Sequence, residues 1–369
     1  MTTESTRPAR WWSALIILPA RMRTALARCA TRPRLGVVAT IGLGVACAIV
    51  ALPAHAQAAT CFGQAATITG SGVIVGTEGA DVIVGSPGAD MIDARGGSDL
   101  VCGLEGDDVI QGGLGNDSID AGDGDDLVRG DVISNTGPAT GGGNDVILGG
   151  TGEDRIAGDS SSEDATASGG GNDVIDAGPG PDHLIGDSRA FLDATGAGDD
   201  RIDGGTGADS ILGDSTGCMK NKKACTVSGA GGNDVLDLGA DGGISAIGDH
   251  LNVRTGNVTG AGNDTVTGGS SDDVLVGDSS NGPGNEAGND RLVGNGGNDR
   301  VFGDNVDLES TTTAGPAGGD DFLDGGVGDD TLRAGPRNDQ LDGGPNTDDC
   351  DGESGVDSAS DCEITAGVP

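Results

Sequence analysis

Along most of this chain one large aliphatic residue recurs every nine positions, set among glycines and aspartates. The stretch from Gly103 to Arg129 shows the pattern most plainly, as three tandem units beginning at Gly103, Gly112 and Ala121. Each has Gly at its fourth position, Asp at its sixth and Ile or Val at its eighth. Six residues of turn chemistry alternate with three of strand chemistry. The pattern predicts very short strands joined by tight turns. Regular units begin at Gly76, Gly85, Ala94, Gly103, Gly112 and Ala121. From Gly130 onward expanded and compact turns alternate. Expanded turns open at Gly130, Gly158, Gly186, Gly213, Gly248, Gly277 and Gly303. Compact ones open at Gly149, Ala177, Gly204, Leu238, Gly268, Gly294 and Gly325, and three further units follow from Ala334, Gly343 and Gly352.

Composition narrows the class. The chain has 369 residues, 73 of them Gly, and a formal net charge of −39. Trp11 and Trp12 are confined to the start, there is no Tyr, and the Phe residues are Phe62, Phe191, Phe302 and Phe322. So acidic and aromatic-poor a chain does not build an ordinary globular core. A disordered acidic segment shares this composition, but disorder does not require Asp every nine residues. Nucleic acid and anionic membrane are disfavoured as partners, because both repel this charge.

The units follow the G-G-x-G-x-D-x-U-x pattern and resemble the RTX, or haemolysin-type, calcium-binding repeat. The resemblance spans roughly residues 73–357 and implies an all-β fold, an elongated right-handed parallel β-roll (RTX solenoid) with loop insertions along one edge. Two units make one coil of such a roll, so odd and even turns stack on opposite edges. Counted from Gly76, every expanded turn has an odd number, which places all insertions on one edge. Carried over from the family, the calcium-binding carboxylates are the sixth-position aspartates: Asp81, Asp90, Asp99, Asp108, Asp117, Asp126, Asp145, Asp154, Asp173, Asp182, Asp200, Asp209, Asp234, Asp264, Asp273, Asp290, Asp299, Asp321, Asp330 and Asp339. Carboxylates with turn carbonyls form an all-oxygen set, which suits multiple Ca2+ ions. The expanded turns depart from the pattern by carrying Asp at their second position: Asp131, Asp159, Asp187, Asp214, Asp249, Asp278 and Asp304. These either replace a ligand or cap the inserted loop through backbone N–H groups. An EF-hand is excluded, because no twelve-residue loop ends in a bidentate Glu and no flanking helices are expected.

The first 56 residues read as a signal peptide. Seven arginines precede an apolar run from Leu35 to Leu52, and Pro53-Ala54-His55-Ala56 offers small residues for cleavage after Ala56. An uncleaved anchor is the alternative, since the run is just long enough to span a bilayer. Residues 57–75 are expected to form an N-terminal cap strand, 76–342 the roll, and 343–369 C-terminal repeats and a cap. Six cysteines follow the cut, and an exported chain favours disulfides. Local pairing gives Cys61–Cys102, Cys218–Cys225 and Cys350–Cys362. Zinc is the competing reading, but no C-x-x-C pair occurs and the two remaining His lie far from any Cys in sequence.

Gly-Asp-Ser recurs at Gly158, Gly186, Gly213 and Gly277, but it follows the period of the fold, whereas a nucleophile needs one site with its own base. Arg129-Gly130-Asp131 spells an adhesion tripeptide and reads better as a strand end meeting a Gly-Asp turn. Lys220, Lys222 and Lys223 lie between Cys218 and Cys225, as a basic loop that is either a partner contact or a stapled solubilising turn. The turn Leu238–Ile247 has ten residues, and Gly243 stands where Asp is due, so a weak joint is expected there with Asp241 as a possible substitute ligand. The reading is a secreted, extracellular or cell-surface-associated calcium-binding protein with a structural or adhesin-like role. A protein or glycan partner is expected on the inserted-loop edge, with no membrane span after cleavage. No segment outside the repeat is large enough for a catalytic domain, so no enzymatic activity is expected. The alternative is a calcium-dependent extracellular hydrolase, or the carrier module of one.

Overall fold

The computed structural model describes residues 59–217, 226–252, 257–279, 286–306, 313 and 315–368. Residues 1–56, read above as a signal peptide, and the loop with Cys218, Cys225 and the three lysines lie outside the described residues.

No helix occurs among the described residues, and two thirteen-stranded sheets dominate. One runs from Ile68–Thr69 to Ser358–Ser360, the other from Val73–Val75 to Ile364–Ala366. Each strand pairs in parallel with the strand one coil away, as Val82–Val84 does with Leu100–Cys102. The strands are mostly three residues long because only the eighth position can turn inward before the next turn begins. Those inward residues form the shared core: Ile83, Val101, Ile119 and Ile147 from the first sheet, and Ile92, Ile110, Val128 and Ile156 from the second. Their neighbours Val73 and Met91 face water, which fits one buried layer between two solvated outer faces.

The edge assignment holds. Each expanded turn leaves the second sheet and enters the first, as Gly130 does between Leu127–Arg129 and Val146–Thr151. The compact turns opposite form a narrow edge. The insertions are more regular than their sequences suggest. They build two five-stranded parallel ladders, one from Ile133–Ser134 to Leu251–Asn252 and one from Ala139–Thr140 to Asn257–Thr259. A small core of Ala139, Ala167, Ala190, Ala194 and Val227 fills the space between them. The insertions thus form a second, thinner coil along the wide edge. On the same edge the last strand residues Leu212, Ile247, Val276 and Phe302 are buried with Val306, and Leu251 of the thin coil packs against them.

The start of the roll is an antiparallel hairpin of Thr60–Cys61 with Gln64–Ala65. A disulfide from Cys61 to Cys102 ties it to the first sheet beside Val84. A second disulfide joins Cys350 to Cys362 near the other end. Both follow the local pairing.

The joint at Leu238–Ile247 is a real irregularity. Pairing of Asp209–Leu212 with Gly243–Ile247 shifts register between Asp209 and Ser210. Asp241 is exposed, unlike the buried sixth-position aspartates, so it does not replace the missing carboxylate. Stability in a solenoid is a sum of local and nearest-neighbour terms, so the missing contact lowers stability locally. Limited proteolysis at falling calcium should cut between about Gly239 and Gly248 before any other compact turn. Hydrogen exchange as slow there as at Gly204–Asp209 would contradict this. A Gly243→Asp change should destabilise rather than mend the joint, because a Cβ at 243 would lie 2.6 Å from the Asp209 carbonyl oxygen.

Candidate metal centres

Every predicted aspartate lies in one of two buried rows, one on each edge. On the wide edge the row runs through Asp81, Asp99, Asp117, Asp145, Asp173, Asp200, Asp234, Asp264, Asp290, Asp321 and Asp339. On the narrow edge it runs through Asp90, Asp108, Asp126, Asp154, Asp182 and Asp209, is interrupted at Gly243, and resumes with Asp273, Asp299 and Asp330. Two further members, Asp348 and Asp357, extend the rows and were absent from the sequence-predicted set. They occupy the sixth position of the Gly343 and Gly352 units, so counting in nines through the final units finds them.

Within a row, except at Asp209 and at the C-terminal end, the backbone N–H of each Asp donates to Oδ1 of the Asp one coil on. Asp99 donates to Asp117, Asp145 to Asp173 and Asp108 to Asp126, each at 2.7 Å. One carboxylate oxygen therefore serves as a rung of the backbone ladder. The other, Oδ2, is buried without a hydrogen-bond partner at Asp99, Asp108, Asp117, Asp126 and most later members. Asp81, Asp90 and Asp273 differ, since their Oδ2 accepts from the turn amides of Thr77, Ser86 and Gly269. The first turn position is nearly always Gly because Oδ2 and the next coil's carbonyl converge there. A Cβ on Gly85 would lie 2.8 Å from Asp90 Oδ2 and 2.7 Å from the Gly103 carbonyl oxygen. Orphaned carboxylate oxygens beside backbone carbonyls, with no cation of the protein's own between them, fit a hard divalent ion of calcium size.

Burial pushes many of these carboxyls above their ordinary value, furthest on the wide edge. On the narrow edge Asp108, Asp126, Asp154 and Asp182 are raised to about 6. On the wide edge, under the second coil, burial raises Asp117 to about 7 and Asp145 to about 9.

The other motifs find structural uses. Arg129 and Asp131 of the adhesion tripeptide are both buried, so it is not offered to a receptor. The Gly-Asp-Ser serines Ser160, Ser188, Ser215 and Ser279 are buried in a stack of their own. Ser188 N–H donates to Ser215 Oγ, and Ser215 N–H to His250 Nδ1, both at 3.2 Å. Sequence reasoning missed an exposed amide ladder beside the wide-edge row. Asn263 Nδ2 donates to Asn233 Oδ1, and Asn289 Nδ2 to Asn263 Oδ1, both at 2.9 Å. The recurrent Gly-Asn-Asp was its signal.

A groove of about 540 Å³ lies where the second coil meets the outer face of the second sheet. Ile185, Leu212, Ile247 and Leu251 give it an apolar floor, and Arg129, Arg155, His183 and Arg189 line it with Glu163. Arg189 pairs with Glu163 at 2.9 Å. On so acidic a protein this is a notable gathering of positive charge.

Parallel coils with inward-facing, stacked aspartates define a calcium-binding β-roll. The family model of the RTX calcium-binding nonapeptide repeat matches residues 68–101, 103–132, 139–162, 168–188, 194–215, 258–282, 286–307, 317–332 and 324–359. That is more than half of the chain, which belongs to this family. The longest unmatched stretch inside the roll, 216–257, holds the basic loop and the joint at Gly243. No curated protein matches the chain.

A pH prediction follows from the raised carboxyls. Folded-state values above the unfolded value mean that the metal-free fold binds more protons than the unfolded chain. Its stability is then fullest below about pH 4 and is lost as pH rises through about 6 on the narrow edge and about 7 to 9 on the wide edge. In chelator, β-sheet circular dichroism should fall between about pH 5 and pH 8, and calcium should remove the dependence. Metal-free β content that is flat or rising over that range would refute it.

Proposed function

We propose that the protein is exported unfolded, folds when it meets extracellular calcium, and then serves as a calcium-stiffened interaction module without catalytic activity. The ligands in this reading are the sixth-position aspartates, from Asp81 to Asp339, with turn carbonyls. The single observation that carries it is the orphaned Oδ2 in the buried rows. Like charges buried one coil apart are costly unless a counter-ion joins them. A site of ~10⁻⁴ M affinity in ~1 mM calcium stabilises the fold by about 1.4 kcal/mol. Many such sites couple folding to the external ion. The arginine-rich leader, the apolar run after it and the disulfides support export. Far-UV circular dichroism should show little β structure in chelator at pH 7.5 and full β structure in millimolar calcium. Equal β content in both conditions, with no bound ion, would end the proposal.

The interaction role rests on the wide edge. Its groove suits a partner segment with apolar side chains flanked by a carboxylate. The double change Arg155→Glu, Arg189→Glu should abolish adhesion of the calcium-loaded protein to the surface of its own cells while leaving the bound calcium count unchanged. Undiminished adhesion would move the contact elsewhere.

A further inference from the structure

We propose that the wide edge carries a second file of calcium-sized cations, held between the second-position aspartates of successive expanded turns and additional to the ions of the nonapeptide repeat. The inference rests on the reading that the protein binds calcium, but it concerns residues outside the repeat pattern.

All seven of these aspartates are fully buried, in the seam between the main roll and the thin coil. They stack in register, because the Asp159 amide donates to the Asp187 carbonyl at 3.3 Å and the Asp187 amide to that of Asp214 at 3.4 Å. The side chains follow: the carboxyl of Asp131 lies against that of Asp159, and that of Asp159 against Asp187. Ligand oxygens of Asp131, Asp145 and Asp159 all lie within 4.8 Å of one another, which brings the sixth-position row into the same cage.

The decisive feature is what these carboxyls lack. At Asp131 and Asp187 neither oxygen meets a hydrogen-bond donor. Capping was the alternative role, and it is filled only in part. Asp249, Asp278 and Asp304 each accept one turn amide with Oδ1, from Gly262, Gly288 and Gly319 at 2.9, 2.7 and 2.8 Å, while Asp159 Oδ1 and Asp214 Oδ2 accept longer ones from Gly143 and Gly232, both at 3.3 Å, and Asn305 Nδ2 donates to Asp278 Oδ2 at 3.3 Å. Oδ2 of Asp249 and of Asp304 remains orphaned. The charges bearing on Asp159 and Asp187 are other carboxylates, Asp173 and Asp131 for the first and Asp200, Asp214 and Asp159 for the second; the one imidazole on the row, His250, lies with Nδ1 3.6 Å from Asp214 Oδ2. A dry column of carboxylates with donors for only part of its oxygens, and with His250 beside Asp214 as its one basic neighbour among the described residues, is short of positive charge; a cation supplies it, and all-oxygen ligation selects a hard one.

The backbone explains why Asp stands here and not in the compact turns. There the second position is left-handed, at φ 108° in Gly150 and 92° in Gly178, and a Cβ would lie 1.7 Å and 2.3 Å from the carbonyl oxygens of Gly122 and Gly150. The expanded turns run on without that reversal, and none of the seven aspartates has positive φ. The position is thereby open to an ordinary residue whose side chain points into the seam. The returning strand is correspondingly bare, since a Cβ on Gly169 would lie 2.7 Å from the Asp159 Cβ.

Asp187→Asn keeps the shape and removes the charge in mid-row. Calcium per folded chain, measured by plasma emission after equilibrium dialysis in 1 mM calcium, should fall by about two relative to wild type, one ion from each side of the residue. Far-UV circular dichroism in calcium should be unchanged. A crystal of the calcium-loaded protein should show anomalous density between Asp159 and Asp187. An unchanged ion count in Asp187→Asn, or a map with density only in the nonapeptide turns, would overturn the second file while leaving the repeat reading intact. A wild-type protein that binds no calcium would instead overturn the repeat reading itself. Should Asp187→Asn not fold, Asp131→Asn at the end of the row should lose about one ion, and an unchanged count there would refute the proposal equally.

Discussion

The structure depends on a carboxylate that behaves as part of the backbone. Each sixth-position Asp lends Oδ1 to the amide of its counterpart one coil away, so the rungs of the sheets continue through the turns as side-chain rungs. Coil spacing in a parallel stack is roughly 4.8 Å, which places like charges at that interval along each edge. The hydrogen bonds fix the geometry but use only half of each carboxylate. The charge that remains can be met by protons or by cations, and at neutral pH that choice decides whether the coils stay together. The core cannot decide it, because each strand gives the space between the two sheets only one large aliphatic side chain.

What was legible in the sequence is what the repeat forces into view. One inward residue per strand gives the nine-residue period, and the counting of turns gives the edge on which the insertions emerge. The thin second coil left no such trace. Its two-residue strands, such as Ala167–Ser168 and Ala194–Thr195, have no hydrophobic alternation to read, and their register is inherited from the main roll. The recurrence of Asp after the first Gly was visible, but its role was not. Ligand and cap differ only in where the carboxylate points and which donors it meets, and that is set by the packing of one coil on another.

The same covering coil makes the two edges unlike. A narrow-edge carboxyl such as Asp182 is raised to about 6, whereas Asp145 beneath the second coil reaches about 9. Burial is the leading cause in both, and at Asp145 the carboxylates of Asp173 and Asp131 add to it. Narrow-edge ions would sit near solvent and exchange readily, while wide-edge ions would be enclosed once the coil closes over them. Stability of the thin coil is then tied to the ions beneath it. Its core of Ala139, Ala167, Ala190, Ala194 and Val227 is too small to hold it alone.

The interruption at Gly243 bears on how far this coupling travels. A solenoid passes stability only between neighbours, so a missing carboxylate should divide the narrow edge into two cooperative stretches. The wide edge does not break at that point. Asp200, Asp234 and Asp264 remain linked by their amide-to-carboxylate bonds at 2.7 Å, and Asp249 donates its amide to the carbonyl of Asp278 at 3.5 Å. One column is thus cut where the other is doubled. Continuity across the joint falls to the edge that carries the additional aspartates, and the chain keeps a locally weak turn without separating the two halves of the roll.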